Sequence, residues 1–359
     1  MSTSHNRWMA CMAIILLLLV SAARLDAQEI DPEFYSQLEF RHIGPQGNRV
    51  IAAAGVPGDL NIYYTGAASG GIWKTYDGGI NWEPIFDDQE VSSVGSLAIA
   101  ASDPNIVWAG TGETFLRSNI SIGNGIYKST DAGKTWQHMG LDNTGRIGRI
   151  VIDPRDPNIV FAAAMGHCYG PQPERGVYRT TDGGMTWENV LFVDDNTGAS
   201  DIALDPNNPR ILIAGTWQVL IQTWGRFSGG PGSGLHKSTD GGSTWKRLED
   251  HGLPMTEVGK IAVAIAPSDS NRFYALIETG DGVPQGDKSA EDMGNGVLWR
   301  SDDGGENWKL VNYHHILTER PHYYSRLAVA PDNENDVYFV AGTLSRSIDG
   351  GLTNEEIVV

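Results

Sequence analysis

An all-β fold, a β-propeller of four-stranded antiparallel blades, follows from three features of this 359-residue chain. A turn of the form Ser/Thr-x-Asp-Gly-Gly-x-Thr-Trp returns around Asp77, Asp131, Asp182, Asp240 and Asp303, and in altered form around Asp349. Between these turns runs a second repeated phrase, an alternating stretch that breaks at "DP" or a similar turn and resumes as a β-rich run, as in "RIGRIVIDPRDPNIVFAAAMG". The chain also carries 44 Gly and 17 Pro, which suits a backbone that reverses often. Four short strands about every fifty residues are the mark of propeller blades.

Each period then divides into strands a to d. Strands a and b come from the second phrase, and strand c from the short run before each turn: "GIWKTY", "GIYKST", "GVYRTT", "GLHKST" or "VLWRSD". Strand d opens at Trp82, Trp136, Trp187, Trp245 or Trp308, whose rings are expected to pack on a neighbour. In the c–d turn the Asp carboxylate accepts backbone N–H groups and the Gly pair supplies positive φ. The Ser or Thr two residues earlier adds a local bond. Six blades are visible, beginning near Val50, Val91, Arg146, Ser200, Val258 and Tyr323. The last turn has Asn354 in the Trp position, so blade 6 reads as incomplete in strand d, and "QLEFRHIG" near the start is a candidate strand to complete it.

In such a meander the a–b and c–d connections share one end and the b–c and d–a connections the other. Insertions fall mainly in the b–c connections of blades 2 to 5: "GETFLRSNISIGN", "GHCYGPQPER", "WQVLIQTWGRFSGGPGS" and "TGDGVPQGDKSAEDMGN". Loops on a rigid scaffold are where binding chemistry usually resides, so these are expected to converge on one sector. The six turn aspartates are expected to be scaffold, since a catalytic group needs no copy in every blade.

Ahead of the repeats, Arg7 precedes the apolar run Ala13 to Ala23 and then small and polar residues. The run is short of the roughly 20 residues that span a bilayer, so residues 1–27 read as a secretory signal; cleavage after Ala23 or Ala27 fits the small-residue rule, and Ala27 is favoured. Residues 28–359 then form an exported domain, periplasmic or extracellular, in which only Cys168 remains, so no internal disulfide is expected. With 44 Asp+Glu against 26 Lys+Arg, a nucleic acid held on a broad basic surface is not expected, and no membrane span. No cofactor and no metal are expected: His167 beside Cys168 lacks a second ligand at metal spacing, and Cys168 reads as a buried small residue.

The turn sequence resembles the BNR or Asp-box repeat of sialidases, sortilin-type receptors, xyloglucanase-type hydrolases and a photosystem assembly factor. The longer phrases "FRHIGPQGNRV", "YYTGAASGGIWKTYDGGINWEPIF" and "VWAGTGETFLRSNISIGNGIYKSTDAGKTW" are similar to large exported bacterial proteins with a sortilin-like N-terminal propeller, often labelled glycosyl hydrolase. Members of that group are usually much longer, which implies a fragment or a shortened relative; a ring of six blades and a larger propeller with further domains both fit the sequence. Repeat families of this kind do different things, so function is read from single residues.

A sialidase-like site would draw on Arg41, Arg117, Arg175, Arg226 and Arg320 with Tyr323 and Tyr324, but the Arg-Ile-Pro phrase of sialidases is not matched by "FRHIGP". A carboxylate-pair hydrolase would draw on Glu113, Glu174, Asp194, Asp195, Glu278 and Asp281. Glu113, leaving strand b for a long loop, and Glu174 are the best catalytic candidates; the plainer reading of Glu113 is a solvated or loop-capping carboxylate, and of Glu174 a partner for Arg175. For ligand binding the candidates are Arg117, Asn119, His167, Arg175, Trp217, Trp224, Tyr323 and Tyr324, since aromatic faces stack on sugars or receive apolar side chains. The expectation is a recognition module for a polypeptide or carbohydrate ligand, with a sialidase- or xyloglucanase-like glycoside hydrolase as the alternative.

Overall fold

A computed structural model describes residues 49–117, 119–279 and 297–357. The 1–27 segment, Arg41, "QLEFRHIG", Asp281 and most of the blade 5 loop lie outside the described residues. The rest is six antiparallel sheets, each a meander in chain order. Blade 1 is β1 to β4 (Val50–Gly55, Tyr63–Ala67, Ile72–Thr75, Glu83–Pro84) and blade 2 is β5 to β8 (Val94–Ala100, Asp103–Thr111, Ile126–Ser129, Gln137–His138). Blade 3 is β9 to β12 (Ile147–Asp153, Asp156–Ala164, Gly176–Thr180, Glu188–Leu191). Blade 4 runs β13 (Thr197–Leu204), β14 (Leu212–Gln222), β15 (Gly225–Ser228), β16 (Gly234–Ser238) and β17 (Lys246–Leu248). Blade 5 is β18 to β21 (Ile261–Ala266, Asp269–Ile277, Leu298–Ser301, Lys309–Asn312), and blade 6 is β22 to β25 (Arg326–Ala330, Asn333–Val340, Leu344–Ser347, Glu355–Glu356). The chain is an all-β propeller of four-stranded blades, with β15 as one added strand on β14.

Alternation along each strand gives every sheet two apolar faces, and consecutive blades bury these against each other. Tyr64, Ile72, Val107 and Tyr127 lie between blades 1 and 2, and Trp108, Ile126, Ile150 and Val160 between blades 2 and 3. The pattern continues with Phe161 and Val177 against Ile202 and Leu212, then Ile213 and Leu235 against Val263 and Phe273, then Tyr274 and Leu298 against Val337 and Phe339. The first strands crowd together, which selects small residues there. A Cβ on Gly198 of β13 would stand 2.6 Å from the Met165 carbonyl oxygen of blade 3.

All six c–d turns are bonded alike. The hydroxyls of Thr75, Ser129, Thr180, Ser238, Ser301 and Ser347 donate to the Oδ1 of Asp77, Asp131, Asp182, Asp240, Asp303 and Asp349 at 2.7–2.9 Å. The same oxygen accepts the backbone N–H four residues on, at 2.9–3.0 Å, while Oδ2 accepts that residue's side chain. The turn at Asp349 keeps these bonds although Asn354 stands in the Trp position. These bonds hold the carboxyls of Asp77, Asp131, Asp240 and Asp303 down at about 2.

The turns also join blades. The cation in strand c of one blade reaches the turn of the next: Lys74 Nζ donates to Ala132 O at 2.9 Å, Lys128 to Gly183 at 3.0 Å, Arg179 to Gly241 at 2.9 Å and Arg300 to Gly350 at 3.1 Å. Lys237 makes the corresponding link as an ion pair with Glu306. The Lys/Arg of "WKT", "YKS", "YRT", "HKS" and "WRS" is therefore an inter-blade tie.

Candidate functional site

At the other end of the sheets, three b–c connections meet over one apolar cluster. Leu116 of blade 2, Met165 and Cys168 of blade 3, and Trp217, Val219 and Ile221 of blade 4 pack together, with Ile120 at the edge. The blade 4 contribution comes from β14, eleven residues long, which outruns its sheet and folds back as β15 (Val219 opposite Ser228, Gln222 opposite Gly225). Alternation then sorts the hairpin's side chains. Trp217, Val219 and Ile221 point down, whereas Leu220, Trp224 and Phe227 are exposed, Trp224 at 78%. Arg226 Nη1 donates to Leu116 O at 3.2 Å and ties the hairpin to the blade 2 loop.

Glu113 stands beside this cluster at 0% exposure. Its Oε1 accepts Arg49 Nη1 at 2.7 Å and Arg117 Nε at 2.5 Å, and its Oε2 accepts Arg117 Nη2 at 3.3 Å and the Ser121 N–H at 3.2 Å. Burial alone would raise this carboxyl, but the bonds from Arg117 and Arg49 outweigh it and hold the pKa below the ordinary glutamate value. Arg117 Nη1 also donates to Asn119 Oδ1 at 2.7 Å, and Arg49 Nη1 to the Tyr323 hydroxyl at 3.3 Å. Tyr323 and Tyr324 meet edge to face, with centroids 4.6 Å apart, and both lie against Phe115. Glu113, Arg117, Asn119, Tyr323 and Tyr324 are thus one cluster, completed by Arg49.

Other candidates serve the framework. Arg146 and Arg175, at 0% and 1% exposure, hold the "GHCYGPQ" loop by its carbonyls. Arg146 donates to Gly166 O at 2.7 Å and His167 O at 2.9 Å, and Arg175 to Met165 O at 2.8 Å and Gly170 O at 3.1 Å. Gly166, at φ 86, is needed there because the Arg175 side chain occupies the space of a Cβ. Arg175 therefore turns inward and does not pair with Glu174, which is half-buried and accepts Gln172 Nε2 at 3.3 Å. The His167 N–H is bonded to Gln172 Oε1, and Cys168 is buried, its thiol pushed up by burial. Trp217, at 1% exposure, donates its Nε1–H to Ser228 Oγ at 2.9 Å, so its ring is a core element and not an open stacking face.

Two buried acids link the inner strands. Asp201 of β13 pairs with Arg149 of β9 at 3.2 Å and Arg326 of β22 at 3.8 Å, and accepts the Val263 N–H of β18 at 3.1 Å. Glu278 accepts Ser228 Oγ at 2.6 Å and the Lys260 N–H at 2.8 Å; burial raises its carboxyl. Lys260 donates Nζ to Tyr324 O at 2.6 Å and is pushed down to about 7 by burial, with Arg326 adding to the effect. Asp194 binds its own loop, accepting the Asn196 N–H at 2.7 Å, and Asp195 is exposed. Among the described residues no group of His, Cys, Asp and Glu is placed to hold a metal ion.

Comparison with known proteins gives the class. The family model described as "Sortilin, neurotensin receptor 3" matches residues 124–253, and the BNR/Asp-box repeat model matches residues 299–310. A xyloglucanase, Xgh74A of Acetivibrio thermocellus, is 28% identical over 226 residues, covering 58% of this chain and 25% of that protein. Among solved structures, an ancestral GH74 enzyme superposes with a TM-score of 0.59 at 18% identity, over 83% of this chain and 39% of that one. YCF48 bound to D1 peptide superposes with a TM-score of 0.51 at 18% identity, over 86% of this chain and 82% of that one. The chain is a BNR/Asp-box repeat propeller that resembles the propeller domains of GH74 xyloglucanases. It spans about a quarter of the length of the xyloglucanase it matches.

Proposed function

We propose that this chain is an exported recognition module whose loop-rich end binds a polypeptide or a glycan. The observation that carries the reading is the state of Glu113. In a hydrolytic carboxyl pair one member is protonated and the other ionised, and both must face the substrate. Glu113 is instead covered and kept ionised by two guanidiniums, the arrangement of a loop anchor. What the same end leaves exposed is Trp224 and Phe227 on a hairpin tied at its base, a rigid aromatic presentation suited to contact. The fold neighbour YCF48 bound to D1 peptide supports a polypeptide ligand, and the similarity to xyloglucanases supports a glycan. The apolar run before Ala27 supports export to the periplasm or exterior, and no helix among the described residues is long and apolar enough to cross a membrane.

A second reading, a glycoside hydrolase drawing on carboxylates of the b–c loops, is favoured by the 28% identity to Xgh74A. The greater length of the matched xyloglucanase supports further domains in a longer parent protein under either reading. The two separate by product release from a panel of xyloglucan, other polysaccharides and sialosides, run beside Glu113→Gln. The module reading expects no turnover from the folded chain. Turnover that Glu113→Gln abolishes without unfolding the chain would make the hydrolase reading primary.

A further inference from the structure

A cavity of about 300 Å³ opens at the loop-rich end between blades 4 and 5, at a place no sequence motif marks. Leu235, Leu253, Val258, Ile261 and Ile277 line it, all part of the apolar core between those blades. Its walls are the stretch after β15 and the segment 247–258, which covers the end of β17 and most of its connection to β18. That segment is strapped in place. The Trp308 N–H donates to His251 O at 2.7 Å and Trp299 Nε1 to Gly252 O at 3.1 Å, while Arg247 donates to Pro231 O at 2.6 Å and Ser233 O at 3.0 Å. Asp250 and His251 stand at φ 61 and 49, left-handed conformations that Asp and His take more readily than most residues. The cavity is thus preformed, which lowers the ordering cost of a ligand.

The rim sets the charge of what enters. Arg247 pairs with Glu249 at 3.1 Å, whereas Asp250 and Glu257 are exposed and make no ion pair among the described residues. We propose that this cavity receives one apolar side chain of an extended polypeptide, and that a lysine or arginine beside it on that polypeptide meets Asp250 and Glu257. The proposal rests on the reading that the loop-rich end binds a polypeptide. The aliphatic floor favours an apolar side chain, which gains by leaving water there, while the polar groups of the lining stand at the rim, where a neighbouring cation would meet them. An acidic rim on a chain of net charge −18 attracts a basic segment and repels an acidic one.

The test uses labelled nonapeptides of Gly and Ser with a central Leu-Lys, Leu-Glu or Ser-Lys, titrated with the folded chain by fluorescence anisotropy. The Leu-Lys peptide is expected to bind roughly tenfold tighter than either other peptide. Thr256→Trp, which fills the mouth, and Glu257→Lys, which reverses the rim, each lower that affinity roughly tenfold with unchanged melting temperature, since both positions are exposed. Equal binding of all three peptides, or Leu-Lys binding that survives both substitutions, overturns the proposal. If that surviving binding is lost in Trp224→Ala, the loop-rich end keeps its polypeptide role and the cavity alone is refuted. If no peptide binds while a glycan does, the cavity proposal falls and the glycan form of the broader reading stands.

Discussion

At the Asp-turn end, six connections carry the same bonds between the same residue types, whereas at the loop-rich end of the same strands the described b–c connections of blades 2, 3 and 4 are each held by different charged or aromatic side chains. Thr75 with Asp77 in blade 1 and Ser347 with Asp349 in blade 6 differ by a methyl group and hardly in geometry. By contrast the b–c connection of blade 2 closes on Glu113, that of blade 3 on Arg146 and Arg175, and that of blade 4 becomes a hairpin. A repeated residue in a propeller meets a repeated need, closing a turn and tying it to the neighbouring blade. A residue present once answers to something local, which is either a loop's own packing or a ligand. Distinguishing these two requires burial and partners, which spacing does not report.

The largest effect is expected where single-copy charges link several blades. Asp201→Ala leaves Arg149 and Arg326 without their carboxylate and the Val263 N–H without an acceptor, and should cost about 3 kcal/mol or more in guanidinium unfolding. A loss under about 1 kcal/mol would mean that the inner strands are held by apolar packing alone.

Changes at the repeated end should be smaller and nearly interchangeable. Ser301→Ala removes the hydroxyl that donates to Asp303 and accepts the Gly305 N–H, and should cost about 1–2 kcal/mol, with a similar value for Ser129→Ala. The turns also fix an acid response. The carboxyl of a turn Asp falls from 3.8 unfolded to about 2 folded, so its contribution is complete above about pH 4 and is lost as pH drops towards 2. A melting temperature that holds steady from pH 4 down to 2 would contradict this. Ala132, in the altered turn "DAGKTW", sits at φ 62 where the other turns have Gly, so Ala132→Gly should stabilise the chain by about 1 kcal/mol. Smallest on stability is Trp224→Ala, expected within about 0.5 kcal/mol of the parent chain because the ring is exposed.

The repeated end was almost wholly legible in the sequence. All six turn aspartates bond as their residue types require, and β1 begins at the expected Val50, while β5, β9, β13, β18 and β22 begin within three residues of Val91, Arg146, Ser200, Val258 and Tyr323. What sequence could not supply was the partner of each single-copy group. Arg49 was missed because it stands just before β1 and meets Glu113 only through the fold, 64 residues away. Arg175 and Trp217 read as ligand groups by type, yet carbonyls of its own loop claim the first and the returning β15 covers the second. One signal was available: in "WQVLIQTWGRF" the alternation of Trp217, Val219 and Ile221 against Leu220, followed by Thr-Trp-Gly, is the pattern of a hairpin with one buried face.

The division of labour between the two ends is tested most directly by probing the chain and two variants against one glycan array and one peptide array. Trp224→Ala alters an exposed side chain of the loop-rich end, and Ile80→Ser alters an equally exposed one at the Asp-turn end. Loss of the array signal in Trp224→Ala with its retention in Ile80→Ser is the predicted result. Retention in Trp224→Ala with loss in Ile80→Ser would place recognition on the repeated turns and contradict the assignment of those turns to scaffold.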